Sequence, residues 1–247
     1  MPLAPDIQQK LREAVRQFWL VRQAQSERQG GGRRGRDAGE RAAVTGGQQM
    51  DGFVTLVREV LCEQGVQPAS VHCERRLELP GWFRPEKQWD VIVVANGDLL
   101  AGIEFKSQVG PSFGNNYNNR TEEALGSATD LWAAYREGAF APSGRPWLGY
   151  LMLLEDCAGS NAPVRAREPH YRVFDEFRAS SYAKRYELLL TKMVREKLYD
   201  AACLLLARGE PERLGEFREP APELGFDKFL SSLLAKAIAT GRVAGPG

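Results

Sequence analysis

Residues 88–107 read Gln88-Trp89-Asp90-Val91-Ile92-Val93-Val94-Ala95-Asn96-Gly97-Asp98-Leu99-Leu100-Ala101-Gly102-Ile103-Glu104-Phe105-Lys106-Ser107. Two apolar runs flank the turn signal Ala95-Asn96-Gly97-Asp98, so the stretch predicts a β-hairpin. Side chains on the return strand alternate between its two faces. Leu100, Gly102, Glu104 and Lys106 are expected on one face, with Ala101, Ile103 and Phe105 on the other. Glu104 and Lys106 then lie roughly 6 to 7 Å apart along one side. Whether Asp90 joins them depends on the turn. A two-residue Asn96-Gly97 loop would pair Asp90 with Ile103 and leave Glu104 on the opposite side. A three-residue loop, Ala95-Asn96-Gly97 with a left-handed glycine, would pair Asp90 with Gly102 and bring all three polar groups together.

We expect the three-residue loop, because it accounts for two carboxylates on an apolar hairpin. Such groups repel unless a cation sits between them. Oxygen ligands of this kind suit Mg²⁺, which keeps much of its water and binds substrate phosphate oxygens. The ion would acidify a bound water and stabilise transition-state charge, while Lys106 orients the nucleophile or neutralises the phosphate. The set points to phosphodiester hydrolysis. The competing reading is a solvated Asp90 and an exposed Glu104-Lys106 pair on an edge strand.

Outward from the hairpin, Ile7, Leu11, Val15, Phe18 and Trp19 recur at helical spacing within residues 6–22. From Ser26 to Gly47 the chain is rich in Gly, Arg and Gln, which is expected to be a linker or an arm that orders on a phosphate backbone. Asp51 is expected to cap a helix with Phe53, Leu56, Val57, Val60 and Leu61 on one stripe, and Ser70–Leu79 to form a strand. After the hairpin come a Gly- and Asn-rich loop to about Asn119, a helix over Thr121–Arg136 and a buried strand over Trp147–Leu154. Tyr182–Tyr199 reads as a basic amphipathic helix, Ala202–Ala207 as a strand and Phe226–Ala239 as a closing helix. This order predicts an α/β fold, a mixed β-sheet flanked by helices. The chain divides into an N-terminal helix (1–25), the Gly/Arg-rich segment (26–50) and one domain (51–247).

With 33 Lys or Arg against 32 Asp or Glu, the net charge of the 247 residues is +1, which argues against a protein holding a polyanion by bulk charge. A content of 43% hydrophobic and 26% charged residues excludes a wholly disordered chain. Cys62, Cys73, Cys157 and Cys203 have no paired spacing, and His72 and His170 have no ligand at metal-binding spacing, so neither a zinc site nor a histidine triad is expected. Charges run through residues 1–25 and no segment approaches the roughly 20 apolar residues of a membrane span, so a cytoplasmic location is expected.

Asp90 with Glu104-Phe105-Lys106 resembles the signature of PD-(D/E)XK nucleases, with Trp89 where proline often stands. The stretches Met50-Asp51-Gly52-Phe53, Glu104-Phe105-Lys106-Ser107, Gly110-Pro111-Ser112-Phe113-Gly114-Asn115-Asn116, Asn118-Asn119-Arg120 and Trp147-Leu148-Gly149-Tyr150 are similar to the XhoI group of type II restriction endonucleases. The resemblance covers the chain from about Asp51 to the C-terminal helix. It implies a PD-(D/E)XK restriction-endonuclease-like core in a prokaryotic protein. The implied enzyme is a Mg²⁺-dependent homodimer that cuts double-stranded DNA at CTCGAG after the first C, with a cognate DNA methyltransferase protecting the same site. By carry-over, Asp90 and Glu104 hold the metal, the Phe105 carbonyl completes the site and Lys106 assists the water.

Candidate DNA contacts are Ser107, Gln108, Asn115, Asn116, Asn118, Asn119 and Arg120. Asn matches adenine and Arg matches guanine in the major groove. Asn119 can instead cap the following helix. Residues 165–197 carry nine Lys or Arg against five Asp or Glu, an excess suited to phosphates or to a solvated helix face. Glu59 and Glu63 are candidates for a further carboxylate. The alternatives are a structure-specific or repair nuclease of the same fold, or a catalytically silent DNA-binding module.

Overall fold

A computed structural model of the chain describes residues 5–30 and 48–239. In chain order the elements are α1 (Pro5–Gly30), α2 (Asp51–Glu63), β1 (Val71–His72), β2 (Glu78–Pro80), β3 (Glu86–Gln88), β4 (Val91–Ala95), β5 (Asp98–Gln108), α3 (Phe113–Arg136), β6 (Trp147–Glu155), α4 (Tyr182–Arg195), β7 (Ala201–Ala207), β8 (Phe217–Arg218) and α5 (Phe226–Ala239). Residues 31–47, most of the stretch expected to be a linker or DNA-contacting arm, lie outside the described residues. Among the described residues no helix is long and apolar enough to cross a membrane.

Six strands form one mixed sheet in the order β1-β4-β5-β6-β7-β8, with β5, β6 and β7 parallel and the outer pairings antiparallel. β6 and β7 are apolar along almost their whole length because both of their faces are covered. On one face Leu11, Val15 and Phe18 of α1, Phe53 and Val57 of α2, and Phe226 and Phe229 of α5 pack with Val91, Ile103, Phe105, Leu151 and Cys203. On the other, Ala128 and Leu131 of α3 and Tyr186 and Leu190 of α4 pack with Ile92, Leu148, Tyr150 and Leu204. Gly149 is required where the Trp147 ring folds back, since a Cβ there would lie 2.4 Å from that ring. This is the mixed sheet flanked by helices that the sequence predicts.

Several elements differ in extent from the sequence reading. α1 continues through Ser26–Gly30, and Met50 rather than Asp51 precedes the first turn of α2 without a side-chain cap. Ser70–Leu79 is not one strand: Arg76 adopts a φ of 58°, and the segment divides between the main sheet at β1 and a small β2–β3 sheet. α3 starts at Phe113, so Asn115 to Asn119 lie inside a helix, and Asn119 is not its cap.

The hairpin converges as expected, but by another route. Its turn has two residues, Asn96 and Gly97 with φ of 54° and 84°, closing the Ala95–Asp98 pair. A bulge then lets Val94 pair with Leu99 and Val93 with Ala101, leaving Leu100 as the extra residue. Leu100 therefore packs in the same core as Ala101, Ile103 and Phe105, not on the face of Gly102. Beyond the bulge Val91 pairs with Ile103, and the same register carried one residue further sets Asp90 across from Glu104.

At the end of β6, Asp156 accepts hydrogen bonds from Arg218 at 2.9 and 3.1 Å and from Asn161 at 2.8 Å, tying β6 to β8 and to the helical turn Ala158–Asn161. The Arg218 hydrogen bonds hold its carboxyl at about 2, against an ordinary 3.8. This group contributes stability above its unfolded value and loses it as pH falls through the folded one. Arg208 and Arg218 are 42% and 47% exposed, which screens the pair. Asp156→Asn is expected to lower stability by about 1 kcal/mol at pH 7. In urea denaturation, the gap from the wild type should close between pH 4 and 2.

Candidate active site

The β4–β5 ladder ends at Val91 and Ile103, with the Asp90 N–H donating to the Ile103 carbonyl at 3.2 Å. One residue on, the Asp90 carboxylate replaces backbone as the acceptor. Its Oδ2 takes the Phe105 N–H at 2.6 Å and lies 3.9 Å from Lys106 Nζ. Glu104 is 5% exposed, and each of its oxygens accepts from a lysine, Oε1 from Lys106 and Oε2 from Lys87. Lys87 comes from β3 in the small sheet. Its ammonium also donates to the Gln88 carbonyl at 2.8 Å and sits 4.3 Å from the centre of the Trp89 ring.

Burial acts on every one of these groups, and whether the charged partners overcome it differs from one to the next. Burial, and then the Glu104 charge, raise the Asp90 carboxyl above its ordinary value. At Glu104 burial acts in the same direction, but Lys106 and Lys87 outweigh it and hold the group below its ordinary value. Burial lowers Lys87 despite the pull of Glu104, whereas at Lys106 the attraction of Glu104 and Asp90 prevails and raises it.

Asp90, Glu104 and Lys106 line a cleft of about 910 Å³ that also takes in Asp51, Ser107, Asn116 and Arg120. Asn116 and Arg120 lie one turn apart on α3, and the Arg120 Nε is buried without a hydrogen-bond partner among the described residues. Asn115, Asn118 and Asn119 are exposed on the same helix outside the cleft lining. Gln108, a candidate DNA contact that lines the cleft, is engaged by hydrogen bonds within the protein. It is 2% exposed, its Nε2 donates to the Phe113 carbonyl at 2.8 Å and its Oε1 accepts from Tyr186, so it fixes the start of α3. Glu59 and Glu63 do not reach the cleft and pair with Lys10 at 3.1 and 2.7 Å.

Residues 27–219 match the family described as "Restriction endonuclease XhoI". The type II restriction enzyme BstVI of Geobacillus stearothermophilus is 52% identical over 205 residues, spanning 81% of this chain and 92% of that protein. The chain belongs to the XhoI restriction endonuclease family. The enzymes AbrI of Azospirillum brasilense and XhoI of Xanthomonas vasicola are 49% and 44% identical, over 70% and 74% of the chain and 78% and 73% of their own lengths. No solved structure matches the chain. As a member of this family the chain is a type II restriction endonuclease, a hydrolase of a restriction-modification system.

In this restriction endonuclease the sequence signature omits Lys87. The signal available was weak: a lysine two residues before Trp89-Asp90, on a short polar segment with no periodicity of its own. Lys87→Met removes one of the two charges that keep Glu104 ionised, so the acid limb of the kcat/KM profile is expected to move to higher pH. A profile whose acid limb stays in place would mean that Lys106 alone sets the charge of Glu104.

Proposed function

We propose that this enzyme is a Mg²⁺-dependent endonuclease that cleaves double-stranded DNA at CTCGAG after the first C. It acts as a homodimer in the prokaryotic cytoplasm, alongside a methyltransferase that protects the same site. The observation that carries the chemistry is the convergence of Asp90, Glu104 and Lys106 at the base of an open cleft. The sequence of the site rests on the resemblance to the XhoI group.

The donor set fits Mg²⁺. No group of three or more His, Cys, Asp or Glu gathers among the described residues, which speaks against a protein-only cage. Mg²⁺ binds instead through one or two carboxylates, waters and substrate phosphate oxygens. Asp90 and Glu104 would hold it with the Phe105 carbonyl, where it would acidify water and neutralise charge at the scissile phosphate. Around that centre, Lys106 keeps its ammonium between the two carboxylates and in reach of a phosphate oxygen. Asp90, anchored by the Phe105 N–H, keeps a fixed direction toward Glu104. Asn116 and Arg120, the latter paired with Glu123, are the cleft-lining side chains of α3 best suited to read bases, with Ser107, Asn115, Asn118 and Asn119 as further contacts. A two-fold dimer supplies one such site to each strand of a palindrome.

Digestion of a sequenced plasmid with Mg²⁺, followed by mapping of the ends, tests the whole reading. Every end is expected within CTCGAG, and EDTA is expected to abolish cutting. Glu104→Gln is expected to slow cleavage by about three orders of magnitude, about 4 kcal/mol of transition-state stabilisation, with DNA binding retained in a gel-shift assay. Discrete fragments whose ends share a different sequence would overturn the specificity while leaving the chemistry. Cleavage only at junctions or ends would instead indicate a structure-specific nuclease.

A further inference from the structure

Residues 162–181 join the helical turn after β6 to α4 without a helix or strand longer than one 3₁₀ turn. Connections this long are uncommon within a domain unless they carry function. This one is braced from within. Its ends meet through the Val164 N–H and the Ser180 carbonyl at 3.1 Å, and Arg185 clamps both sides, donating to the Val164 carbonyl at 3.1 Å and the Ser180 hydroxyl at 3.0 Å. Inside it, Glu168 accepts from the Val173 N–H at 2.9 Å and pairs with Arg178, which also pairs with Asp175 at 2.8 Å.

Topology fixes where the loop emerges. β5 and β6 are parallel from Ala101–Trp147 to Gln108–Leu154, so the loop leaves the sheet at the edge where Lys106, Ser107 and Gln108 end the catalytic strand. α3 is held against that edge: the Gly110 N–H donates to Glu155 at 2.7 Å, the Phe113 ring stacks on Tyr182 with centres 5.8 Å apart, and the Tyr117 hydroxyl donates to the Arg185 carbonyl at 3.4 Å. The start of α3, with Asn116 and Arg120, is thus packed against the start of α4, where the loop ends.

The loop's free chemistry is cationic and aromatic. Of the nine basic residues in 165–197, Lys184 and Lys192 pair with Glu187 and Glu196 along α4, and Arg178 and Arg185 hold the loop together. Arg195 and Lys197 stand at the far edge, where β7 begins. Arg165, Arg167 and Arg172 are exposed and carry no ion pair among the described residues, against one uncommitted carboxylate, Glu176. Beside them Tyr171 is 90% and Phe174 79% exposed. Aromatic rings held in water next to unpaired guanidinium groups suit a surface that offers both anionic oxygens and flat apolar faces.

We infer that residues 162–181 are a DNA-contacting loop, in which Arg165, Arg167 and Arg172 bind phosphates of the duplex flanking the cleft and Tyr171 and Phe174 pack against its sugars. The inference rests on the reading of the protein as an enzyme of double-stranded DNA. It is tested by duplex binding in EDTA, followed by fluorescence anisotropy from 0.05 to roughly 0.5 M salt. Replacing the three arginines with alanine should reduce the slope of log Kd against log salt by about 2 to 3, and should weaken binding roughly 10- to 100-fold at low salt. Replacing them with lysine should restore the slope. Tyr171→Ala with Phe174→Ala should weaken binding roughly 2- to 10-fold with the slope unchanged. Wild-type affinity and slope in all variants would overturn the assignment of the loop alone. A wild-type protein that binds no duplex would overturn the underlying reading as well. Weaker binding accompanied by dissociation in sedimentation would also overturn it, making the loop a contact between two copies of the chain.

Discussion

The Glu104 carboxylate sits in the sheet with 5% of its surface exposed, where an uncompensated charge costs several kcal/mol. Two ammonium groups offset that cost, one on each oxygen. Their sources differ, and this organises the molecule. Lys106 lies two residues along the same strand, so its position follows from the pleat alone. Lys87 arrives from the separate β2–β3 sheet, whose connecting loop is anchored to α3 by Asp130, which accepts from the Trp82 and Phe83 N–H groups at 2.7 and 2.8 Å and from Arg84 at 2.6 Å. Helix α3, the small sheet and β5 are therefore tied to one another around a single buried charge.

Asp90 depends on a second constraint, the bulge at Leu100. Without it the two-residue turn would leave Asp90 opposite Ile103 and its carboxylate on the wrong face. The extra residue is absorbed where the chain is apolar on both sides, so Leu100 is buried with Ala101 at little cost while every residue beyond changes face. The ladder then opens at Asp90, and a side-chain oxygen takes over the Phe105 N–H that a paired backbone carbonyl would have held.

The hairpin and most of the buried strands were legible in the sequence because two-residue periodicity is local, whereas the hairpin's turn was expected to have three residues and has two. The bulge was not legible, since Leu99, Leu100 and Ala101 are all apolar and nothing marks which one is surplus. Lys87 was not legible because its partner stands seventeen residues away and is reached only through the second sheet. The start of α3 was misread for another reason. Gly114 and the asparagines favour turns locally, but the Phe113 and Tyr117 rings pack on Tyr182 and Tyr186 of α4, and that packing outweighs propensity.

A chain of net charge +1 has no bulk attraction for a polyanion, so whatever steers it must be local. The folded arrangement shows how. On α4 Lys184 and Lys192 are neutralised by partners one turn away, and Asp156 ties up Arg208 and Arg218 behind the sheet edge. Within the candidate site two carboxylates face two lysines, an even balance that a divalent cation would tip to positive. Arg165, Arg167 and Arg172, exposed and without ion pairs among the described residues, gather on the one loop between β6 and α4. Weak attraction at a distance, with unpaired cations gathered on one loop, would leave discrimination to contacts made inside the cleft, the division of labour that an enzyme of a restriction-modification system requires.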